Sequence, residues 1–209
     1  MRITKPGKIV CVGRNYLEHA KELDNVVPER PLLFLKPPSA LIGDGEAIVV
    51  PAASIQVEHE GEIGVVVGAP LRRADERTAR AAIAGITCVN DVTARDLQQT
   101  DGQWTRAKGF DTFCPAGPVV WRPPAGFDLA TLEVWCRVNG AVRQHGRAAE
   151  MAFSIPALLA YISQVMTLEP GDLVATGTPA GVGPLRAGDV VEVEIPGVGV
   201  LRNPVAPEA

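Results

Sequence analysis

The sequence predicts a single β-rich α+β domain over residues 1–209, with few short helices. Glycine and proline number 21 and 18, and they separate many short apolar runs, as turns separate strands. Strand-like and helix-like runs do not alternate strictly, which argues against a doubly wound parallel sheet. A chain of this length can bury a sizeable core. We expect residues 1–50 to form an N-terminal segment with one short helix, and residues 51–209 to form the β-rich core.

Strands are predicted where short apolar or alternating runs end at turn residues. Those runs are 8–12, 32–36, 48–50, 61–67, 85–92, 117–121, 132–138, 141–144, 173–176, 189–195 and 198–203. Asn139-Gly140 lies between two of them. This dipeptide indicates a two-residue hairpin, because a type I′ turn needs a positive φ at both positions.

Three helices are predicted, at 16–23, 75–84 and 154–166. In the third, Ser154 can cap the N-terminus and Pro156 suits the first turn. An apolar stripe at helical spacing follows, and we expect it to pack in the core. The stripe consists of Leu158, Leu159, Ile162 and Val165.

Composition excludes several function classes. The net charge of −4 offers no basic surface for nucleic acid, and no apolar stretch approaches the roughly 20 residues that span a bilayer. The basic N-terminal run lacks a long apolar region after it, so no signal peptide is expected. The four cysteines are scattered without Cys-x-x-Cys spacing, which predicts buried free thiols. These features predict a cytoplasmic protein.

A run of acidic residues, Glu58, Glu60 and Glu62, enters a strand-like segment. Residues two apart in a strand share one face, so the three would stand roughly 7 Å apart from each to the next. Uncompensated burial of such charges would cost several kcal/mol or force protonation. A hard cation such as Mg²⁺ or Mn²⁺ would relieve the repulsion. The alternative is a solvated polar face of an edge strand.

Asp91 shifts this balance towards a metal site. It lies in the apolar run 85–92, where a lone acid needs a partner. The electrostatic argument does not decide whether Glu58 or Glu62 joins Glu60 as a ligand.

Six segments together resemble the fumarylacetoacetate hydrolase family, in the single-domain branch that includes the acylpyruvate hydrolases. They are CVGRNY (11–16), LFLKP (33–37), HEGE (59–62), DVTARDLQ (91–98), WTRAK (104–108) and TGTPAGVG (176–183). Each is weak alone, but their order makes the resemblance specific. It implies a mixed β-sandwich roll like the fumarylacetoacetase C-terminal domain. It also implies Mg²⁺, with Mn²⁺ as the alternative, and a homodimer.

The resemblance implies roles for particular residues. The metal ligands would be Glu60, Glu62 and Asp91. His19 and Glu22 would form a catalytic pair on a lid helix near 16–23, and their spacing places them on one helix face. An exposed surface pair is the alternative for these two residues.

Further roles are implied around the substrate. Lys108 would supply positive charge where an enolate oxygen develops; alternatively its ammonium reaches solvent. Gln98, Arg14 and Thr178 would contact the substrate. Thr178 lies in a loop without the Gly-Lys-Ser/Thr ending of a P-loop, so its backbone is expected to hold a carboxylate. Arg95 is a further candidate for substrate contact, and for both Arg14 and Arg95 the alternative is that the guanidinium braces the carboxylates.

The implied activity is cleavage of a C–C bond in a 2-oxo or 2,4-dioxo acid through a pyruvate enolate. His19 would activate water for acylpyruvate hydrolysis, whereas loss of CO₂ from oxaloacetate needs no water. Alternatives are a 2-hydroxyhepta-2,4-diene-1,7-dioate-type isomerase, a non-catalytic 2-oxo acid binding protein, and a β-rich protein whose acidic face is adventitious. The segment 99–103 is short for an acylpyruvate hydrolase, so the acyl-group preference is left open.

Overall fold

The computed structural model describes residues 3–16 and 28–208. Strands dominate these residues, and the helices are short. The strands are β1 Ile9–Gly13, β2 Leu32–Lys36, β3 Leu41–Ile42, β4 Ile48–Val50, β5 Val57–His59, β6 Gly61–Val67, β7 Ile83–Asn90, β8 Thr93–Ala94, β9 Cys114–Trp121, β10 Glu133–Val138, β11 Ala141–Arg147, β12 Leu173–Ala175, β13 Gly183–Pro184, β14 Val190–Ile195 and β15 Gly199–Pro207. The α-helices are α1 Glu76–Ala81, α2 Arg95–Thr100, α3 Thr105–Gly109 and α4 Ile155–Val165. The predicted β-rich α+β class is confirmed.

The strands form three sheets. The largest has seven strands in the order β2-β1-β12-β6-β7-β9-β3, and it is mixed, because β1 pairs with β12 in parallel while β6 pairs with β7 antiparallel. A five-stranded sheet has the order β11-β10-β14-β15-β4, and a three-stranded sheet has the order β13-β5-β8. One face of the seven-stranded sheet packs on the five-stranded sheet. Side chains that meet there include Val10, Ile63, Val65, Ile86, Val134, Val193 and Leu201.

Most predicted strands are confirmed within a few residues, and the Asn139-Gly140 hairpin joins β10 to β11. The predicted helix 154–166 is confirmed as α4, and Ser154 Oγ accepts a hydrogen bond from the Ala157 N–H at 3.3 Å. The prediction that Val165 packs in the core is wrong, because this residue lies at the end of α4 and is 61% exposed.

The predicted helix 75–84 is too long. Helix α1 ends at Ala81, since the chain enters β7 at Ile83 and pairs there with Val67. The predicted helix 16–23 lies outside the described residues except for Tyr16, which forms an isolated β-bridge with Met151. Along the described ranges, no helix is long and apolar enough to cross a membrane.

The largest correction concerns the acidic run. The prediction of one strand face for all three glutamates is wrong, because the chain changes sheet at Glu60. Glu58 belongs to β5 of the three-stranded sheet, whereas Glu62 belongs to β6 of the seven-stranded sheet. The Glu60 N–H donates to Asn90 Oδ1 at 2.9 Å instead of continuing a ladder. A glutamate occurs at every second residue across this break, so the sequence pattern does not reveal it.

Candidate metal centre and active site

Two neighbouring strands bring three carboxylates together. Glu60 and Glu62 flank Gly61 at the start of β6, and Asp91 follows the last residue of β7. These strands pair antiparallel with Gly61 opposite Asn90, and the Asp91 N–H donates to the Glu60 carbonyl at 2.8 Å. One oxygen atom from each carboxylate can be chosen so that all three lie within 4.8 Å of one another. The backbone pairing therefore fixes the cluster.

The cluster is buried and electrostatically incomplete. Glu60, Glu62 and Asp91 are each 5% exposed or less. Burial, then the charges of Asp91 and Glu60, raise the pKa of Glu62 well above its usual range. Among the described residues, Asp91 Oδ1 accepts no hydrogen bond, although it is buried. Three carboxylates around a point form a donor set that fits a hard divalent cation.

Three buried cations border the carboxylates. Lys108 Nζ lies 2.8 Å from Glu60 Oε2 and 2.6 Å from Asp91 Oδ2. Arg95 donates to Glu60 Oε1 at 2.6 Å and to Glu58 Oε2 at 2.8 Å. Lys36 Nζ forms an ion pair with Asp91 Oδ1 at 2.8 Å.

Glu58 is therefore distinguished from Glu62. Its carboxylate pairs with Arg95 and also accepts from Gln56 Nε2 at 2.6 Å. Glu62, by contrast, accepts from the Gly177 N–H at 2.7 Å and lies with Glu60 and Asp91 in the cluster. The geometry favours Glu62 as the companion of Glu60. Arg95 braces both Glu58 and Glu60, one of the two alternatives that the sequence left open for it.

A neutral network lies on the other side of Gly61. Gln144 Oε1 accepts from the Gly61 N–H at 2.9 Å and lies 3.0 Å from His59 Nδ1. Gln144 Nε2 donates to Thr178 Oγ1 and to the Pro179 carbonyl, each at 2.7 Å. Burial lowers the pKa of His59, so its imidazole is neutral near pH 7. His59 acts as a structural histidine here.

Gly61 itself has no room for a side chain. A Cβ atom at this position would lie 2.8 Å from the Cβ of Cys136 on β10. Glycine therefore lets β6 approach the five-stranded sheet while its two neighbours, Glu60 and Glu62, carry carboxylates of the cluster.

The loop after β12 is fixed against Glu62 by a second glycine. Gly177 has φ +101°, and a Cβ there would lie 2.8 Å from the Cβ of Asn15. Asn15 is fully buried, and its Nδ2 donates to the Thr176 carbonyl at 2.8 Å. This packing aims the Gly177 N–H at the Glu62 carboxylate.

A cavity of about 300 Å³ opens over the carboxylates. Its walls contain every predicted site residue that lies within the described ranges. Its lining consists of Val12, Gly13, Arg14, Phe34, Glu60, Glu62, Asp91, Arg95, Gln98, Gln99, Trp104, Lys108 and Thr178. Arg14 adopts φ 59°, a strained region for a non-glycine residue and one that is common at binding sites. His19 and Glu22 lie outside the described residues.

Comparison with known proteins decides the family. The family model described as fumarylacetoacetate (FAA) hydrolase C-terminal matches residues 8–206. The chain belongs to the fumarylacetoacetate hydrolase family. It is similar to the mitochondrial oxaloacetate decarboxylase of Dictyostelium discoideum, with 43% identity over 91% of this chain and 89% of that protein. It is also similar to the human mitochondrial oxaloacetate tautomerase FAHD2A, with 41% identity over 97% of this chain and 68% of that protein.

A solved structure of this family has the same fold. The 2-hydroxyhepta-2,4-diene-1,7-dioate isomerase from Mycobacterium marinum superposes with a TM-score of 0.89 and 46% identity, covering 98% of this chain and 76% of that chain. The predicted fumarylacetoacetase-like roll is thereby confirmed. The enzyme names of these family members support an enzyme.

Sequence reasoning missed several residues at this site. Lys36 was placed only within a strand, yet its side chain is fully buried beside Asp91. Phe34 and Trp104 line the cavity with their ring centroids 5.2 Å apart, and Trp104 also covers Gly13. A lysine inside the apolar run 32–36 was the one usable signal for Lys36. Nothing in the sequence pattern placed Trp104 against Gly13, because the two are far apart along the chain.

Proposed function

We propose that this protein is a divalent-metal-dependent enzyme that forms the enolate of a 2-oxo acid and breaks a C–C bond next to it. Oxaloacetate is the first substrate to test, because relatives are named oxaloacetate decarboxylase and oxaloacetate tautomerase. One observation carries the proposal: a buried carboxylate cluster faces a lysine ammonium inside a small cavity. Glu60, Glu62 and Asp91 would hold the ion, Mg²⁺ first and Mn²⁺ as the alternative.

The bound cation would act as a Lewis acid towards the carboxylate and keto oxygens of the substrate. Lys108 supplies a second, fixed positive charge. Its ammonium is 2% exposed, so it interacts strongly with a developing enolate oxygen in this water-poor cavity. Its present partners, Glu60 and Asp91, hold it at the cavity floor.

Arg14, Gln98 and Thr178 would bind the remaining polar atoms of the acid. Arg95 donates to the Gln98 Oε1 atom, which leaves the Gln98 amide N–H groups as donors for a substrate oxygen. The Thr178 hydroxyl donates to the Gly61 carbonyl at 2.9 Å. Because that proton is engaged, the backbone N–H of Thr178 is the donor that we assign to the substrate.

Decarboxylation of oxaloacetate would break the C3–C4 bond, release CO₂, and leave a pyruvate enolate that takes a proton at C3. Tautomerisation would move a proton between C3 and the C2 oxygen through the enolate of oxaloacetate itself, with no C–C bond broken. Hydrolysis of an acylpyruvate additionally needs water attack at C4, for which His19, oriented by Glu22, is the proposed base; cleavage of C3–C4 then leaves pyruvate enolate and a carboxylic acid. Each candidate reaction therefore passes through an enolate of a 2-oxo acid.

Isomerisation of a 2-hydroxyhepta-2,4-diene-1,7-dioate is the second candidate. The similarity to the Mycobacterium marinum isomerase favours it. This reaction also passes through an enol of a 2-oxo acid and differs in the carbon that receives the proton. A non-catalytic 2-oxo acid binding protein is less favoured, since Lys108 adds a charge that binding of the metal alone does not require.

The test is a substrate panel of oxaloacetate, acetylpyruvate and a 2-hydroxymuconate-type diacid, assayed for products with Mg²⁺ and with chelator. We expect turnover of at least one acid with Mg²⁺, loss in chelator, and recovery on adding Mg²⁺ back. Glu62→Gln should lose more activity than the roughly 10- to 100-fold that substitutions outside the ligand set cost. Glu133→Gln, at a surface ion pair, is the matched control. Unchanged rates in chelator would contradict the proposal.

Two further expectations complete this proposal. The four cysteines are buried free thiols, which suits a reducing cytoplasm. A homodimer is expected from the family resemblance, and size-exclusion chromatography with light scattering would measure it.

A further inference from the structure

Lys36 is one of the least accessible charged residues of the described chain. It ends β2, and its side chain is completely shielded from solvent. Burying an ammonium group costs several kcal/mol, and even well-paired buried ions add little net stability. Stability alone therefore gives a weak reason for a lysine at this position, and the contacts of its ammonium supply a better one.

Three oxygen atoms surround the Lys36 ammonium. Lys36 Nζ donates to the Val92 carbonyl at 2.9 Å and to the Lys108 carbonyl at 2.6 Å, and it lies 2.8 Å from Asp91 Oδ1. Val92 directly follows the ligand Asp91, and Lys108 carries the second active-site ammonium. The Lys36 side chain thus connects the segment that carries Asp91 to helix α3, which carries Lys108.

The helix that carries Lys108 depends on such ties. Helix α3 has five residues, Thr105–Gly109, and helices this short are not stable by themselves. No side chain caps its N-terminus. The hydrogen bond from Lys36 to the Lys108 carbonyl fixes the helix end against β2. It thereby sets where the Lys108 ammonium meets Asp91 Oδ2 and Glu60 Oε2.

Lys36 also completes the charge balance of the site. Four buried carboxylates, Glu58, Glu60, Glu62 and Asp91, face the cations Lys36, Arg95 and Lys108. Counted formally, this leaves one negative charge, which a divalent cation converts into one positive charge. An anionic 2-oxo acid is attracted by that positive charge, whereas without Lys36 the loaded site would be formally neutral.

We infer that Lys36 is a positioning residue: its ammonium orients the ligand Asp91 and fixes Lys108 for reaction with the substrate. This inference rests on the proposed function, because it assigns Lys36 a task at the same metal centre. It acts through Asp91 and Lys108, since no substrate atom needs to touch it.

The test is Lys36→Met, which keeps the length and volume of the side chain and removes the charge. Lys8→Met is the matched control, because Lys8 forms an ion pair with Asp172 away from the cavity. We expect K36M to weaken Mn²⁺ binding, titrated by electron paramagnetic resonance without substrate, by roughly 10- to 100-fold. Turnover of oxaloacetate should fall in kcat, because Lys108 acts in the transition state, and KM should rise, because the loaded site loses the net positive charge that attracts the anion. K8M should change neither.

The outcomes separate this inference from the proposed function. If the unmodified protein binds no Mn²⁺, the proposed function fails. If it binds Mn²⁺ and K36M binds it equally well with equal kcat, only the inference is overturned. A purely structural lysine would lower the melting temperature while leaving Mn²⁺ affinity and kcat unchanged at temperatures where the variant is folded. Lys36→Gln replaces K36M if K36M does not fold; failure of both to fold would make Lys36 a core-stability residue and overturn the inference.

Discussion

Two buried polar networks meet at Gly61, and they are built from opposite chemistry. On one side, carboxylates pair with Arg95, Lys108 and Lys36. On the other side, His59 and Gln144 hydrogen-bond as neutral groups. Gln144 uses both its carbonyl and its amide group, whereas Asp91 in the charged network keeps an oxygen that accepts no hydrogen bond among the described residues.

Because of this difference, we expect the neutral network to hold the structure in place and the charged network to bind a cation. A fully satisfied neutral network has no remaining affinity for a ligand, so it rigidifies the structure around it. The charged network places more buried carboxylates than cations together, and we expect a divalent cation to balance them. In the proposed function, the neutral network would hold β6 in place and the charged network would bind the metal ion and the substrate. Substitutions in the two networks should therefore respond differently to Mg²⁺.

The largest expected effect follows removal of a cation from the charged network. Arg95→Met leaves Glu58 and Glu60 without their shared partner, and breaking a buried pair in this way costs about 3–5 kcal/mol. Denaturant unfolding of the metal-free protein measures this loss. Mg²⁺ should stabilise the variant at least as much as the unmodified protein, because the site is more negative while Lys36 still holds Lys108 against Glu60 and Asp91.

Arg147→Met is the control for this experiment, since Arg147 pairs with Glu133 at the surface. An equal free energy of unfolding for R95M and the unmodified protein would show that Arg95 does not balance the two carboxylates.

A smaller effect is expected in the neutral network. Gln144→Leu leaves the Gly61 N–H and the Pro179 carbonyl without their partner, and one unsatisfied buried group costs about 1–3 kcal/mol. The rise in melting temperature on adding Mg²⁺ should match that of the unmodified protein, because no charge has changed. Gln164→Leu, on the exposed face of α4, is the control. If adding Mg²⁺ no longer raised the melting temperature of Q144L, the two networks would not be independent.

The smallest effect is expected for an ion pair at the surface. Arg137 Nη1 and Glu194 Oε2 are 2.6 Å apart on the neighbouring strands β10 and β14, and the two side chains are 27% and 30% exposed. Glu194→Gln should change the free energy of unfolding by less than about 1 kcal/mol, since water and salt screen such pairs. Thermal unfolding at low and high salt measures this. A loss as large as that of R95M would mean that burial does not explain the strength of the charged network.

Much of the site could be predicted from the sequence because its key residues occur in short local patterns. Glu60 and Glu62 are two residues apart, and Asp91 stands out as an acid in an apolar run. The repulsion expected between these carboxylates therefore predicted a bound cation. The choice of Glu62 over Glu58 needed the family resemblance, since both fit the same alternation. The structure supplies the physical reason, which is the change of sheet at Glu60.

The rest of the site could not be predicted, because it depends on contacts between residues that are far apart along the chain. Lys36 and Val92 are 56 residues apart, and Gly61 and Gln144 are 83 apart. Helices α2 and α3 were not predicted, because each is only one or two turns long. Helices this short are stabilised by packing against the rest of the protein and have no apolar stripe that a sequence pattern could reveal. The longer strands were predictable from their own apolar or alternating runs, whereas the short strands β3, β5, β8 and β13 were not predicted.

Gly61 has a consequence for anyone who redesigns this centre. The residue between the two glutamates is the contact point of two sheets, because a Cβ there would meet Cys136 at 2.8 Å. The two carboxylates can be exchanged for other ligands without touching that contact. The residue between them cannot be enlarged unless β10 is rebuilt at the same time. Ligand identity is thus adjustable from the cavity side, whereas ligand spacing is set from the opposite sheet.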